Sequence, residues 1–165
     1  KEMEKEDVPY LYWCGAGWMA AYATDPFNVD LGIGVKKAAA MMETGLQLDE
    51  SYNDGAIHEF FVLYYGSLPQ SMGGSEEKAR YHFQRAVEIS RGRTASPYVA
   101  LASTVSVSNQ DAEEFTALLT KALAVDVSRR SGVRLVNIIS QRKARWLLDH
   151  REDRILSDMK KGVKQ

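Results

Sequence analysis

The sequence predicts an all-α protein built from antiparallel helix hairpins. Apolar residues recur at helical spacing almost throughout the 165 residues, and no window shows the strict alternation of a half-buried strand. With 45% hydrophobic and 26% charged residues, the chain suits one globular domain, which we place at residues 1–165. The longest small apolar run, 38–42, is far shorter than the roughly 18 residues of a membrane-spanning helix.

Capping and turn signals set the predicted limits of the first three helices. Asp7 before Pro9 predicts a first helix to about residue 24, because an Asx side chain accepts from free amide groups and proline tolerates the first turn. Apolar spacing over about 34–47 predicts a second helix with one buried face. The turn signal at 53–55 precedes a third helix, which ends at Pro69.

Four further helices follow in the C-terminal half. Ser75, with two glutamates after it, predicts the start of a fourth helix, which ends at Gly92. The other three are predicted to start at Ser96-Pro97, at Asn109 or Asp111, and at about residue 133. The last of them ends at about 149, and we expect the charged tail to fray from about residue 156.

Three of these helices share a stripe of small and large residues at helical spacing. Small residues let paired helices approach, while a large residue fills the groove between them. The last members of the stripes lie 41 and 36 residues apart, the period of a helical-hairpin repeat, which predicts an irregular tetratricopeptide-like superhelix. We expect the middle stripe to form a helix–helix contact. The stripes are Ala38/Met42/Gly45, Ala79/Phe83/Ala86 and Phe115/Leu119/Ala122.

The charge of the chain gives no general attraction to nucleic acid. The formal net charge is −1. Residues 126–165 carry eleven basic and five acidic residues, whereas residues 1–125 carry ten and seventeen. We interpret this asymmetry as solvated helix faces of uneven sign and expect no nucleic-acid partner.

Motifs for metal, nucleotide or covalent chemistry fail at defining positions. His58-Glu59 begins like a zinc-protease motif, but Val62 stands where the second histidine is needed. Gly32-x-Gly34 lacks a third glycine and a preceding strand. The single cysteine, Cys14, allows no internal disulfide and is expected to be a buried, inert thiol. The sequence therefore predicts no enzyme, metal or cofactor site.

Two features exceed what a plain core demands. The first and third helices are dense in aromatic residues, some of which we expect to line a groove or pore; the alternative is that all of them are interhelical packing. The candidate ligand- or partner-binding residues are Tyr10, Trp13, Tyr64 and Tyr65, with Asn53 and Asn137 as polar anchors. Arg142 falls on an apolar stripe with Leu135 and Trp146, so we predict that it pairs with an acidic group or with helix carbonyls.

Short motifs follow one another in order over about residues 8–155. They are Pro9-Tyr10-Leu11-Tyr12-Trp13, Gly15-Ala16, Trp18, Leu48-Asp49, Tyr52-Asn53-Asp54-Gly55, Leu68-Pro69, Gly73-Gly74, Phe83-x-x-Ala86, Leu135-x-Asn137 and Arg142-x-x-Ala144-x-x-Leu147-Leu148. Together these motifs resemble the T component associated with TRAP transporters. The resemblance implies irregular tetratricopeptide proteins that are exported, typically as lipoproteins, and act in the periplasm beside the solute-binding component. It also implies a homotrimer whose protomers each have a pore for an apolar ligand.

The resulting functional expectation is a non-enzymatic periplasmic scaffold. It would bind the solute-binding protein of a TRAP transporter and pass an apolar ligand through a groove or pore. The alternative is a stand-alone protein that binds a small hydrophobic ligand. Because the chain begins at Lys1, we expect a missing N-terminal region, with its lipid-bearing end, to provide the contact with the membrane.

Overall fold

Seven α-helices account for the long regular elements of the computed structural model, which describes residues 3–128 and 131–156. Within these ranges there is no strand, so the all-α prediction is confirmed. The helices are α1 (Val8–Thr24), α2 (Val29–Leu48), α3 (Tyr52–Ser67), α4 (Glu76–Ser90), α5 (Ser96–Leu101), α6 (Ala112–Ala124) and α7 (Ser131–Asp149). The predicted frayed tail lies largely outside the described residues.

Side-chain caps explain most helix starts. The side chain of Asp111 accepts from the Glu114 N–H at 2.8 Å, which decides between the two predicted starts of α6. Ser75 caps α4 as predicted, accepting from the Lys78 N–H at 3.3 Å. The start of α2 lies five residues earlier than predicted because Asn28 accepts from the Asp30 N–H at 3.0 Å.

Consecutive helices pack as hairpins. α1 packs mainly on α2, and α3 on α4, while α5 packs on α6 and α7 lies against both. The members of the three predicted stripes are buried, apart from Phe83, which is half-buried and meets the Tyr98 ring edge-on at 5.5 Å between centroids. The stripes therefore lie at helix contacts, and the superhelical arrangement of the repeats stays a prediction.

Gly34 shows how closely α1 and α2 approach. A Cβ atom at this position would lie 2.2 Å from Cε3 of Trp18, so the indole ring occupies the space that any side chain would need. Gly32, two residues closer to the start of α2, has open space around it. The Gly32-x-Gly34 pair is thus a packing feature at one of its two positions.

The exposed face of α7 corrects the prediction for Arg142. The buried face of α7 carries Val133, Asn137 and Ala144, and the face with Leu135 and Arg142 is exposed. Arg142 has no ion-pair or hydrogen-bond partner in the described part of the chain, so the predicted buried pairing is wrong. The face of α7 that packs inward carries small and polar residues. Gln141 on this face donates to the Ala122 carbonyl of α6, and Asn137 accepts from the Ala95 N–H in the loop before α5.

A network of charged side chains fastens α4 to α6. Arg80 donates two hydrogen bonds to the Glu114 carboxylate and one to Glu76 at 2.7 Å. Ser106 donates to Glu114 at 2.7 Å from a π-helical turn, Ala102–Ser106, that continues α5.

Two further findings concern exposure and membrane spanning. Cys14 is exposed on α1, so the expectation of a buried thiol is wrong. None of the helices in the described ranges combines the length and apolar character needed to cross a bilayer.

Candidate functional site

An apolar cleft of about 310 Å³ lies between α1 and α3. Each wall is one helical face, with residues spaced three or four apart. The cleft exists because α1 and α3 each pack chiefly on a different hairpin partner, and because three alanines on α1 leave space between the helices. Its lining residues are Tyr12, Ala16, Met19, Ala20 and Ala23 from α1, and Ala56, Glu59, Phe60, Leu63 and Ser67 from α3.

Glu59 places a carboxyl group in this mainly apolar cleft. Ser96, the first residue of α5, donates its hydroxyl to Glu59 Oε2 at 2.5 Å. The helix α5 starts at Ser96 as predicted, and the Ser96 hydroxyl bonds Glu59 and does not cap the helix. Burial raises the pKa of Glu59 above its ordinary value, whereas the Ser96 hydrogen bond and the charge of Lys143 act in the opposite direction.

Tyr12 is the second polar group of the cleft wall. Burial raises the pKa of Tyr12 to about 12, and the charge of Glu59 and the phenol of Tyr52 act in the same direction. The Tyr12 phenol therefore stays protonated at neutral pH and can donate or accept a hydrogen bond. The cleft offers a ligand a mainly apolar wall with two groups that can fix a polar head.

A histidine pair joins α3, which lines the cleft, to α4. His58 Nδ1 and His82 Nδ1 are 2.8 Å apart, and His58 Nε2 lies 3.2 Å from Glu50 Oε1. Because a carboxylate only accepts, His58 donates from Nε2 and its Nδ1 accepts from His82 Nδ1–H. Burial lowers the pKa of His82 to about 4 and also lowers the pKa of His58. The pair is neutral at pH 7 and serves the contact between the helices.

The four aromatic candidates lie in two different environments. Tyr10 and Trp13 are 73% and 69% exposed on α1, on a face that does not line the cleft. Tyr64 is buried in the cluster formed with α2. Tyr65 stacks on His82 with ring centroids 5.7 Å apart, and the Lys78 ammonium lies 5.1 Å from the centre of its ring.

The two asparagine candidates differ in the same way. Asn53 is exposed and adopts a left-handed backbone conformation with φ 46° at the start of α3. Asn137 is buried, accepts from the Ala95 N–H at 2.9 Å and donates to the Arg93 carbonyl at 2.9 Å. Its side chain holds the loop before α5, and neither asparagine lines the cleft.

Sequence reasoning placed the site between the first and third helices and missed the residues that line it. The signal that would have found Glu59 is an acid within the α3 stripe Ala56, Phe60 and Leu63. Within the described residues there is no group of three or more His, Cys, Asp or Glu side chains that could hold a metal ion. The chemistry available at the cleft is therefore apolar contact, hydrogen bonding and one carboxyl group.

Comparison with known proteins identifies the family. The family profile described as the TRAP transporter T-component matches residues 1–154. A curated protein of Treponema pallidum (strain Nichols), described as uncharacterized, is 32% identical over 147 residues. That match covers 89% of this chain and 46% of the relative, so the chain spans less than half the length of the protein it matches. The chain belongs to the TRAP transporter T-component family.

Proposed function

We propose that this chain is a non-enzymatic component of a TRAP transporter system that holds an apolar ligand in the α1–α3 cleft and contacts the solute-binding protein. The observation that carries the proposal is the cleft itself, a mainly apolar concavity between the first helices of two hairpins. Its volume of about 310 Å³ suits a small ligand or the alkyl chain of a larger one.

Tyr10 and Trp13 are the proposed contacts for the solute-binding protein. Both rings lie mainly in solvent on the outer face of α1, next to the helix face that lines the cleft. Tyr and Trp are the residue types that contribute most when buried at the centre of an interface. A partner on this face would lie close enough to the cleft to receive its ligand.

The setting of the proposed function is the periplasm. We propose a single tetratricopeptide-like unit that assembles as a homotrimer and is anchored as a lipoprotein in the full-length protein. These features follow the family resemblance, and membership of a transporter family is consistent with them.

Binding to the solute-binding protein of the same transporter tests the proposal. We expect surface-immobilised solute-binding protein to retain the parent chain, and Trp13→Ala to weaken binding at least about tenfold, as loss of an interface hot spot would. Leu135→Ala is the control, because Leu135 is also 69% exposed but lies on α7.

The outcomes separate the proposal from its alternative. Retention of the parent and of Leu135→Ala, together with loss of Trp13→Ala, supports contact through α1. Octanol serves as a probe of apolar ligand binding. If the chain binds octanol but is not retained by the solute-binding protein, the chain is a stand-alone carrier of apolar ligands and the scaffold role is wrong.

A further inference from the structure

We propose that the α1–α3 cleft selects a ligand with an apolar tail and a cationic amine head, and that the Glu59 carboxylate receives that head. This inference rests on the proposed function, because it assumes that the cleft binds a ligand. It adds the chemical class of the ligand and the residue that distinguishes it from other apolar molecules.

Glu59 has unused hydrogen-bond acceptor positions. A carboxylate has two oxygens and about four acceptor positions. In the described part of the chain, Ser96 is the only hydrogen-bond partner of Glu59, and it engages Oε2. Within the described residues, no protein group donates a hydrogen bond to Oε1. A donor that enters with the ligand would complete the coordination of the carboxylate.

The ionisable groups around the cleft favour a cationic head over an anionic one. Neither lysine nor arginine is among the residues that line the cleft, and Glu59 is their one ionisable acid. Lys143 lowers the pKa of Glu59 through its charge, but its side chain is exposed and forms no ion pair with Glu59 in the described residues. An ammonium head would offset the desolvation of the Glu59 carboxyl group and favour its charged form, whereas a carboxylate head would place a second acid beside it.

The side chains around Glu59 suit a cationic head with an apolar tail. The rings of Tyr12 and Phe60 line the same cleft, and aromatic faces attract cations. The alanine and leucine side chains further along the two helices accept an alkyl chain. The cleft therefore combines one acidic group with apolar walls, which matches an amphiphilic amine.

Three compounds with the same alkyl chain test the head-group preference. We would titrate the parent chain with octylamine, octanol and octanoate at neutral pH by isothermal titration calorimetry. The expected order of affinity is octylamine, then octanol, then octanoate. We expect octylamine to bind at least about tenfold more tightly than octanoate, the factor that one charge-assisted hydrogen bond supplies. This ranking needs no substitution and is independent of how well any variant folds.

The variant Glu59→Gln assigns the preference to this carboxylate. Gln keeps the shape and an acceptor for the Ser96 hydroxyl, so we expect octanol to bind as before and octylamine to lose about tenfold in affinity. Glu43→Gln is the matched control, because Glu43 is exposed on α2 and does not line the cleft. It should leave all three affinities unchanged.

The possible failures are distinguishable. Equal affinities for the three compounds, or a preference for octylamine that persists in Glu59→Gln, overturn the assignment and leave the apolar cleft of the proposed function intact. If none of the three compounds binds, the proposed ligand-binding function itself is wrong.

Discussion

Ser96 and Glu59 join α5 to the cleft wall, with the serine hydroxyl 2.5 Å from Glu59 Oε2. The position of Ser96 is itself fixed by its neighbour, because Asn137 on α7 accepts from the Ala95 N–H at 2.9 Å. Hydrogen bonds therefore connect α7 to the loop before α5, and the first residue of α5 to the carboxyl group of the cleft. The wall of the α1–α3 cleft therefore depends on α5 and α7, which do not line it.

Removing the Ser96 hydroxyl should destabilise the chain. Ser96→Ala leaves Glu59 without its hydrogen bond, and we expect the free energy of unfolding to fall by about 1 kcal/mol. Urea denaturation measures the change. Ser103→Ala is the control, since that hydroxyl bonds the Val99 carbonyl of its own helix, and it should have a smaller effect. Equal losses in the two variants would show that Glu59 gains nothing from Ser96.

Two glycines of α2 should respond oppositely to alanine. Gly32→Ala has open space and should gain up to about 1 kcal/mol from helix propensity. Gly34→Ala meets the Trp18 ring, so overpacking of about 1–3 kcal/mol should exceed that gain. Thermal unfolding of the two variants measures the difference. A Gly34→Ala variant as stable as Gly32→Ala would mean that Trp18 moves aside freely.

The histidine pair should make stability depend on acid. The His82 pKa is about 4 in the folded chain and near 6.5 when unfolded, so the unfolded chain binds more protons between these values. The free energy of unfolding should therefore fall as the pH drops from about 7 towards 4. Burial also lowers the pKa of His58, with Glu50 opposing and Arg85 reinforcing the shift, so His58 acts in the same direction.

Substitution of His82 tests whether the histidine pair causes this pH dependence. His82→Gln should flatten the dependence of the melting temperature on pH between 7 and 5, approximately the upper part of the titration range. His150→Gln is the control, because His150 lies at the end of α7, where its ring stacks on Trp146. If both variants keep the parent's slope, the pair is not the source of the acid sensitivity.

Two arginines should differ in their contribution to stability. Arg80→Met removes the hydrogen bonds to Glu114 and Glu76, so we expect a loss of about 1–3 kcal/mol. Arg142→Met should change stability by less than about 0.5 kcal/mol, because Arg142 is exposed and unpaired in the described part of the chain. Urea denaturation of the pair checks both values, and a large loss in Arg142→Met would contradict its placement.

Local signals in the sequence predicted the helices well. The caps at Ser75 and Asp111 depend on residues within a turn of the helix start, which is why they could be recognised. The start of α2 was predicted late, since the cap at Asn28 precedes Gly32 and Gly34, two glycines that lower helix propensity.

Tertiary packing decided what the sequence left open. The helix α7 has apolar residues on two faces, and the face with Leu135 and Trp146 is the larger in volume, although the face with Ala144 and Leu147 is buried. The cleft depends likewise on how α1 and α3 meet, which periodicity within one helix does not specify. The exposure of Trp13 depends likewise on how α1 packs, and the proposed contact with the solute-binding protein would account for it.

Methyl NMR of Met19 tests the central claim most directly. Met19 lines the α1–α3 cleft, whereas Met72 lines a separate apolar concavity beside the start of α2 and Met3 is exposed near the N-terminus. We would label the methionine methyl groups with carbon-13, assign the Met19 signal with Met19→Leu, and titrate with octanol.

The account predicts a saturable shift of the Met19 signal, with the Met72 and Met3 signals unchanged. A Met19 signal that does not move, or a shift of Met72 alone, would contradict ligand binding in the α1–α3 cleft.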